Sequence, residues 1–137
     1  MRETDIQSTI IRYLAILETQ GKLFFNRTNN IPPVNKDSKR KVIGFRKLPT
    51  GAKKGIPDIW VIINGKTIGL EVKTPTGKQS KEQKEIQEKF IKNGADYYVV
   101  RSYEEVKNIL DKYLKSASEK REGILNMSSQ MSFKDFL

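Results

Sequence analysis

Apolar side chains recur three and four positions apart near the start of the chain, at Ile6, Ile10, Tyr13, Leu14 and Leu17. That period predicts a helix from Glu3 to Thr19, with Gly21 as its stop. Phe24 and Phe25 then give Leu23 to Arg27 strand character. Ile56 to Ile63 is almost wholly apolar, Asn64-Gly65 follows, and Thr67 to Thr74 alternates between apolar and polar. Two antiparallel strands joined by a two-residue type I′ turn are the expected outcome. Further on, the pattern predicts a helix from Gly77 to Asn93 closed by Gly94, then a strand from Asp96 to Arg101 built on Tyr97, Tyr98, Val99 and Val100. A last helix runs to about Lys115, with Ser102 and Glu105 as its capping box and Val106, Ile109, Leu110, Tyr113 and Leu114 on its apolar side.

Two stretches break this rhythm. Thr28 to Lys54 holds Pro32, Pro33, Gly44, Pro49 and Gly51 and reads as a long irregular connection, a kind of segment that is usually functional or disordered. It carries Lys36, Lys39, Arg40, Lys41, Arg46, Lys47, Lys53 and Lys54 against a single acid, Asp37. From Ser116 to Ser129 the periodicity fades, which predicts a polar linker between a domain at 1–115 and a tail at 130–137. The element order α-β-β-β-α-β-α predicts an α/β fold, a central mixed sheet flanked by helices.

Composition narrows the chemistry. At 137 residues the chain is long enough for one domain with a real core. Charged residues make up 31% of it, and no apolar run approaches the ~20 residues of a membrane span. The polar, acidic start Met1-Arg2-Glu3-Thr4-Asp5 does not resemble a signal peptide, so the expected location is cytoplasmic, with no membrane partner. Cysteine and histidine are both absent, which excludes disulfides, cysteine nucleophiles, histidine bases and the usual zinc sites. A metal would have to sit on oxygen donors, which favours Mg²⁺ or Mn²⁺. A net charge of +10 points to a polyanionic partner.

The candidate chemistry lies in the hairpin. Because side chains alternate across a strand, Glu71 and Lys73 share one face while Ile68, Leu70 and Val72 share the other. The Asn-Gly turn folds Asp58, near the start of one strand, back beside Glu71 and Lys73 at the end of its partner. Asp58 and Glu71 could hold a divalent cation, with the backbone carbonyl of Val72 as a further oxygen. The cation would acidify a water and neutralise phosphate charge, and Lys73 would orient that water or offset transition-state charge. Gly55 lets the chain bend there and Pro57 fixes it just before Asp58. Glu-x-Lys alone is an ordinary surface pair, and Gly-x-Pro-Asp alone is an ordinary turn. Their conjunction across a hairpin, in a basic chain without His or Cys, is what carries the reading. On the first helix Glu3, Gln7, Ile10 and Leu14 share a face, making Glu3 a candidate additional acid and Gln7 a site-lining amide. A frayed, exposed first turn is the alternative. On the helix after the hairpin Gln83 aligns with Ile86, Gln87 and Phe90, from where it could reach the site.

With Glu3-x-x-Ile6-Gln7, Asn26-Arg27-Thr28-Asn29, Gly55-Ile56-Pro57-Asp58, Leu70-Glu71-Val72-Lys73 and Ser80-x-x-Gln83 in place, the chain resembles the VRR-NUC group of the PD-(D/E)xK nuclease superfamily, in its minimal stand-alone form. The resemblance runs from Glu3 to about Leu114. It implies a restriction-endonuclease-like core and a metal-dependent endonuclease acting on DNA, with Glu3, Asp58, Glu71 and Lys73 in the active site and Gln83 assisting. It further implies a homodimer resolving Holliday (four-way) junctions in repair and recombination, since two symmetric nicks need two sites related by a two-fold axis. Arg27, Lys53 and Lys54 flank the site and are the first candidates for phosphate contacts, with Arg46 and Lys47 beside them. Flap, splayed-arm and restriction-type nucleases are the nearest rivals. A non-catalytic DNA-binding module is the rival of a different class. An RNA-binding role has little behind it, because aromatics are not interleaved with the basic residues.

The tail is separate. Gln130-x-x-Phe133-x-x-Phe136-Leu137 resembles the short peptides by which replication and repair proteins bind sliding clamps, although Phe133 stands where an aliphatic residue is usual and Leu137 where an aromatic is usual. The alternative is a tail that packs back on its own domain or on a second copy.

Overall fold

The computed structural model describes residues 1–28, 34–45 and 49–130. Arg46, Lys47, Asn29 and the tail residues Phe133, Phe136 and Leu137 lie outside them. Gln130 is the last residue of the final helix.

Helix α1 spans Glu3–Thr19 and buries Ile6, Gln7, Ile10, Leu14 and Leu17 along one side, as the spacing of its apolar residues requires. Strand β1 is Phe24–Arg27, β4 is Ile59–Ile63 and β5 is Lys66–Val72. Asn64 and Gly65 both take left-handed φ, 49° and 81°, as the type I′ turn between β4 and β5 demands. Helix α2 is Lys81–Lys92, β6 is Asp96–Val100 and α3 is Tyr103–Gln130. The main sheet has four strands in the order β1-β4-β5-β6. Its first two pairings are antiparallel and the last, β5 with β6, is parallel, so the sheet is mixed. This is the predicted α/β architecture and is consistent with a restriction-endonuclease-like core.

One face of the sheet carries Ile59, Val61, Ile63, Ile68, Leu70, Val72 and Val100, packed with Ile10 and Leu14 of α1 and Val106 and Leu110 of α3 into a single core. The other face is also covered where β5 and β6 meet α2. Phe90 of α2 stacks edge-on against Trp60 of β4 and Tyr97 of β6, at centroid distances of 5.0 and 5.6 Å. Gly69 makes that possible: a Cβ there would lie 2.7 Å from Pro57 Cγ and 2.9 Å from Phe90 Cε2.

The structure differs from the sequence reading in several places. The segment expected to be irregular from Thr28 to Lys54 contains a second hairpin, β2 (Val34–Lys36) with β3 (Val42–Phe45). Its prolines and glycines fall mostly outside these short strands, and their density masked the pairing. Helix α2 begins at Lys81 rather than Gly77, because Ser80 caps it. Strand β4 begins at Ile59 rather than Ile56, since Pro57 supplies no N–H to a ladder. Helix α3 runs through the expected linker at 116–129 as far as Gln130. The sequence there loses its apolar period but has no proline, and Ala117, Glu119, Lys120, Arg121, Glu122, Leu125 and Met127 sustain a helix by propensity. The capping box at its start is altered as well. Glu105 donates its N–H to Ser102 Oγ at 3.2 Å, but its carboxylate accepts from Arg101 N–H at 2.8 Å.

Candidate active site

Three local devices bring the hairpin's charges together. The antiparallel register pairs Ile59 with Leu70, so one residue further out Asp58 stands opposite Glu71. Gly55 lies just before them with φ +84°, and a Cβ there would come within 2.6 Å of the Glu82 carbonyl carbon. It therefore meets two demands at once, a left-handed turn and close approach to the first turn of α2. Thr28 fastens the other flank: its N–H donates to the Asp58 carbonyl and its Oγ1 to the Pro57 carbonyl, both at 2.8 Å.

Asp58 and Glu71 are buried, at 8% and 1% exposure, and are the only buried acids among the described residues. Asp58 Oδ2 accepts the Val72 N–H at 2.8 Å. In extended chain the N–H and C=O of one residue point the same way, so the Val72 carbonyl also faces the Asp58 side. Glu71 is gripped at both oxygens. Its Oε1 accepts from Gln83 Nε2 at 2.6 Å and its Oε2 from the Tyr97 hydroxyl at 3.4 Å. Lys73 Nζ stands 3.9 Å from Oε1, with its side chain 14% exposed.

Burial pushes the Glu71 carboxyl up to about 8. The neighbouring Asp58 charge and a hydrogen bond between the two acids push the same way, while Lys73 and Tyr97 oppose. Burial beside the Asp58 charge thus favours the protonated form of Glu71 when no cation is bound. That donor set of two anionic oxygens, with a main-chain carbonyl on the same side, suits a hard divalent cation such as Mg²⁺ or Mn²⁺.

Gln83 is placed by its own helix. Its N–H donates to Ser80 Oγ at 3.1 Å and its Oε1 accepts from Ser80 N–H at 2.8 Å. With the amide oxygen used in the cap, Nε2 has one direction left, toward Glu71. Ser-x-x-Gln is thus a capping box and a site contact at once.

Glu3 and Gln7 are placed differently. Gln7 is buried at 8% exposure on the core side of α1, while Glu3 is half-buried in the first turn. No group of three or more acids that could hold a metal occurs among the described residues, so Glu3 does not join Asp58 and Glu71 as a third. Arg27, Lys53 and Lys54 are exposed on the segments that lead into and out of the site.

Two residues were not legible beforehand. Tyr97 pairs with Gly69 in the parallel ladder, which sets its ring beside Glu71. Burial, then the Glu71 charge, holds the Tyr97 hydroxyl well above the usual phenol range, so it remains a donor. Gln79 pulls that hydroxyl the other way and donates to Gln87 Oε1 at 3.0 Å. Only the alternation within Asp96–Val100 hinted that Tyr97 would face the acids, and nothing local identified its partner strand.

No protein-family model matches the chain, and no curated protein matches it in sequence.

Proposed function

We propose that this protein is a divalent-metal-dependent DNA endonuclease that hydrolyses phosphodiester bonds, with branched, four-way junctions as its substrate and a homodimer as its working form. The observation that supports this best is the meeting of Asp58, Glu71 and Lys73 at the open end of the β4–β5 hairpin, with Gln83 holding Glu71. Asp58, Glu71 and the Val72 carbonyl are the oxygens that would hold the cation, which when bound neutralises phosphate charge and acidifies a water. The chain's own groups do the rest. Val72 N–H fixes the rotamer of Asp58, and Gln83 and Tyr97 fix that of Glu71. Lys73 brings a positive charge to the phosphate where negative charge develops. Arg27, Lys53 and Lys54, with Arg46 and Lys47, hold the DNA backbone.

A homodimer suits the substrate, since paired nicks need paired sites. The residues at 130–137, from Gln130 through Phe133, Phe136 and Leu137, are proposed as a tether to a sliding clamp, tested by clamp pull-down with and without them. No helix among the described residues is long and apolar enough to cross a membrane.

The deciding experiment is cleavage of four-way, flap and linear duplex DNA in Mg²⁺ and in EDTA, with the products mapped. Symmetric nicks in the junction, dependent on Mg²⁺ and absent in Asp58→Asn, are expected. Cleavage that survives EDTA, or binding with no cleavage of any substrate, overturns the reading. The latter is the result a non-catalytic DNA-binding module would give.

A further inference from the structure

The β2–β3 hairpin has no part in the carboxylate site, yet it is inserted beside it. Thr28, at its entry side, is hydrogen-bonded to Pro57 and Asp58. The returning chain reaches Gly55 against the first turn of α2. Among the described residues the two strands pair with each other in a sheet of their own and make no substantial contact with another helix or strand.

The turn that joins them is built to present positive charge. Asp37 Oδ1 accepts the N–H groups of Lys39 and Lys41 at 2.9 and 2.8 Å. Asp37 N–H donates to the Lys41 carbonyl at 3.0 Å, and Arg40 N–H to the Asp37 carbonyl at 2.9 Å. The only acid in the segment is thereby turned inward on the backbone. Arg40 occupies the left-handed region at φ 62°, a conformation that costs a non-glycine residue energy and would be met more easily by Gly or Asn. Lys39, Arg40 and Lys41 are all exposed.

We infer that the β2–β3 hairpin is a basic arm, anchored next to the Asp58–Glu71 pair, that lays its tip against the phosphate backbone of duplex DNA. The inference rests on the nucleic-acid reading proposed above. Charge selects the occupant: three adjacent cations with their one acid engaged match a phosphate array. Shape agrees, since a two-stranded ribbon is among the elements that enter a major groove. The turn's hydrogen bonds have a purpose on this account: a backbone already held loses less entropy on binding than a loose loop.

The test is binding of the full chain to a linear duplex oligonucleotide in EDTA, so that no cleavage intervenes, across a salt series. Lys39→Ala/Lys41→Ala keeps both turn amides that Asp37 accepts and removes two charges. The slope of log K against log salt should fall by about 2, with affinity down on the order of tenfold or more. Arg40→Gly removes one charge while relieving the left-handed strain, so weakened binding in that variant comes from charge and not from a damaged turn. Asp37→Ala separates charge from geometry. It makes the tip more basic yet releases the turn, and weaker binding is expected. An unchanged salt slope in the double variant overturns the arm while leaving the nuclease reading intact. Binding with no Mg²⁺-dependent cleavage of any DNA substrate overturns the nuclease reading while leaving the arm intact. A wild-type chain that binds no linear duplex overturns the arm as well, while the junction-cleavage assay decides the nuclease reading.

Discussion

Asp58 accepts the main-chain N–H of Val72 on Oδ2 at 2.8 Å. One acid thereby closes the end of the hairpin that carries the other. The contact separates the structural role of Asp58 from its charge. Asp58→Asn keeps an oxygen for the Val72 amide and, above about pH 8 where Glu71 ionises, also removes the repulsion with it, so there its stability should equal or exceed that of the wild type. Asp58→Ala leaves a buried N–H without an acceptor and should cost about 1–3 kcal/mol. Both should lose metal-dependent cleavage and keep junction binding, which tightens if anything because a negative charge near phosphate is gone. Urea unfolding and gel-shift assays of the two variants check this.

Glu71 predicts a pH dependence in the metal-free protein. Its folded-state pKa is raised to about 8 from an ordinary 4.5, so the native state binds more protons than the unfolded one between those values. Stability from this group is complete below about pH 4.5 and is lost as pH rises through about 8, by on the order of a few kcal/mol. Glu71→Gln should flatten that decline while still accepting from Gln83. Mg²⁺ should restore stability at pH 8 in the wild type and not in the variant. Thermal melts from pH 5 to pH 9, with and without Mg²⁺, read the difference. A wild-type curve that does not fall over that range contradicts the assignment.

Gln83 holds a cap with one end of its amide and Glu71 with the other. Gln83→Glu retains an acceptor for Ser80 N–H but sets a third carboxyl against the pair. It should fold with its cap intact and lose activity, with metal affinity altered. Gln83→Ala loses both contacts and should be less stable by about 1–2 kcal/mol. Metal titration by calorimetry distinguishes the two, since a cap alone would leave metal binding unmoved.

Tyr97→Phe removes the hydroxyl at 3.4 Å from Glu71 Oε2 and keeps the ring packed on Phe90. Stability should change by under about 1 kcal/mol, because the bond is long. Cleavage at saturating Mg²⁺ should drop severalfold, since Glu71 loses one of the two groups that set its rotamer. A variant with lower stability and unaltered cleavage would make Tyr97 a packing residue alone.

Gly55 tests the fold around the site. A side chain there meets φ +84° and a backbone carbon of Glu82 at 2.6 Å, so Gly55→Ala should cost more than about 2 kcal/mol. Gly65→Ala meets a similar φ of +81° with nothing within 4 Å and should cost only about 1 kcal/mol. Parallel denaturant curves give the comparison.

The sequence alone determined what depends on neighbours in the chain. The period of α1, the Asn64-Gly65 turn and the β4–β5 register that follows from it set Asp58 opposite Glu71 before any coordinates existed. Ser80 and Gln83 are three residues apart and form a cap by local geometry. The tertiary structure decided whatever needs partners distant in sequence. Parallel pairing of β5 with β6 has no turn to fix it, so neither Tyr97 against Glu71 nor the chain through Gln79 to Gln87 could be read along the strand. The depth of Glu71 was hidden for a related reason: alternation says which face a side chain takes, but only the docking of α2 on that face removes it from water. The β2–β3 hairpin was missed because its strands are too short to show a period. It is pinned instead by the Asp37 turn, whose hydrogen bonds appear only once the backbone is in place.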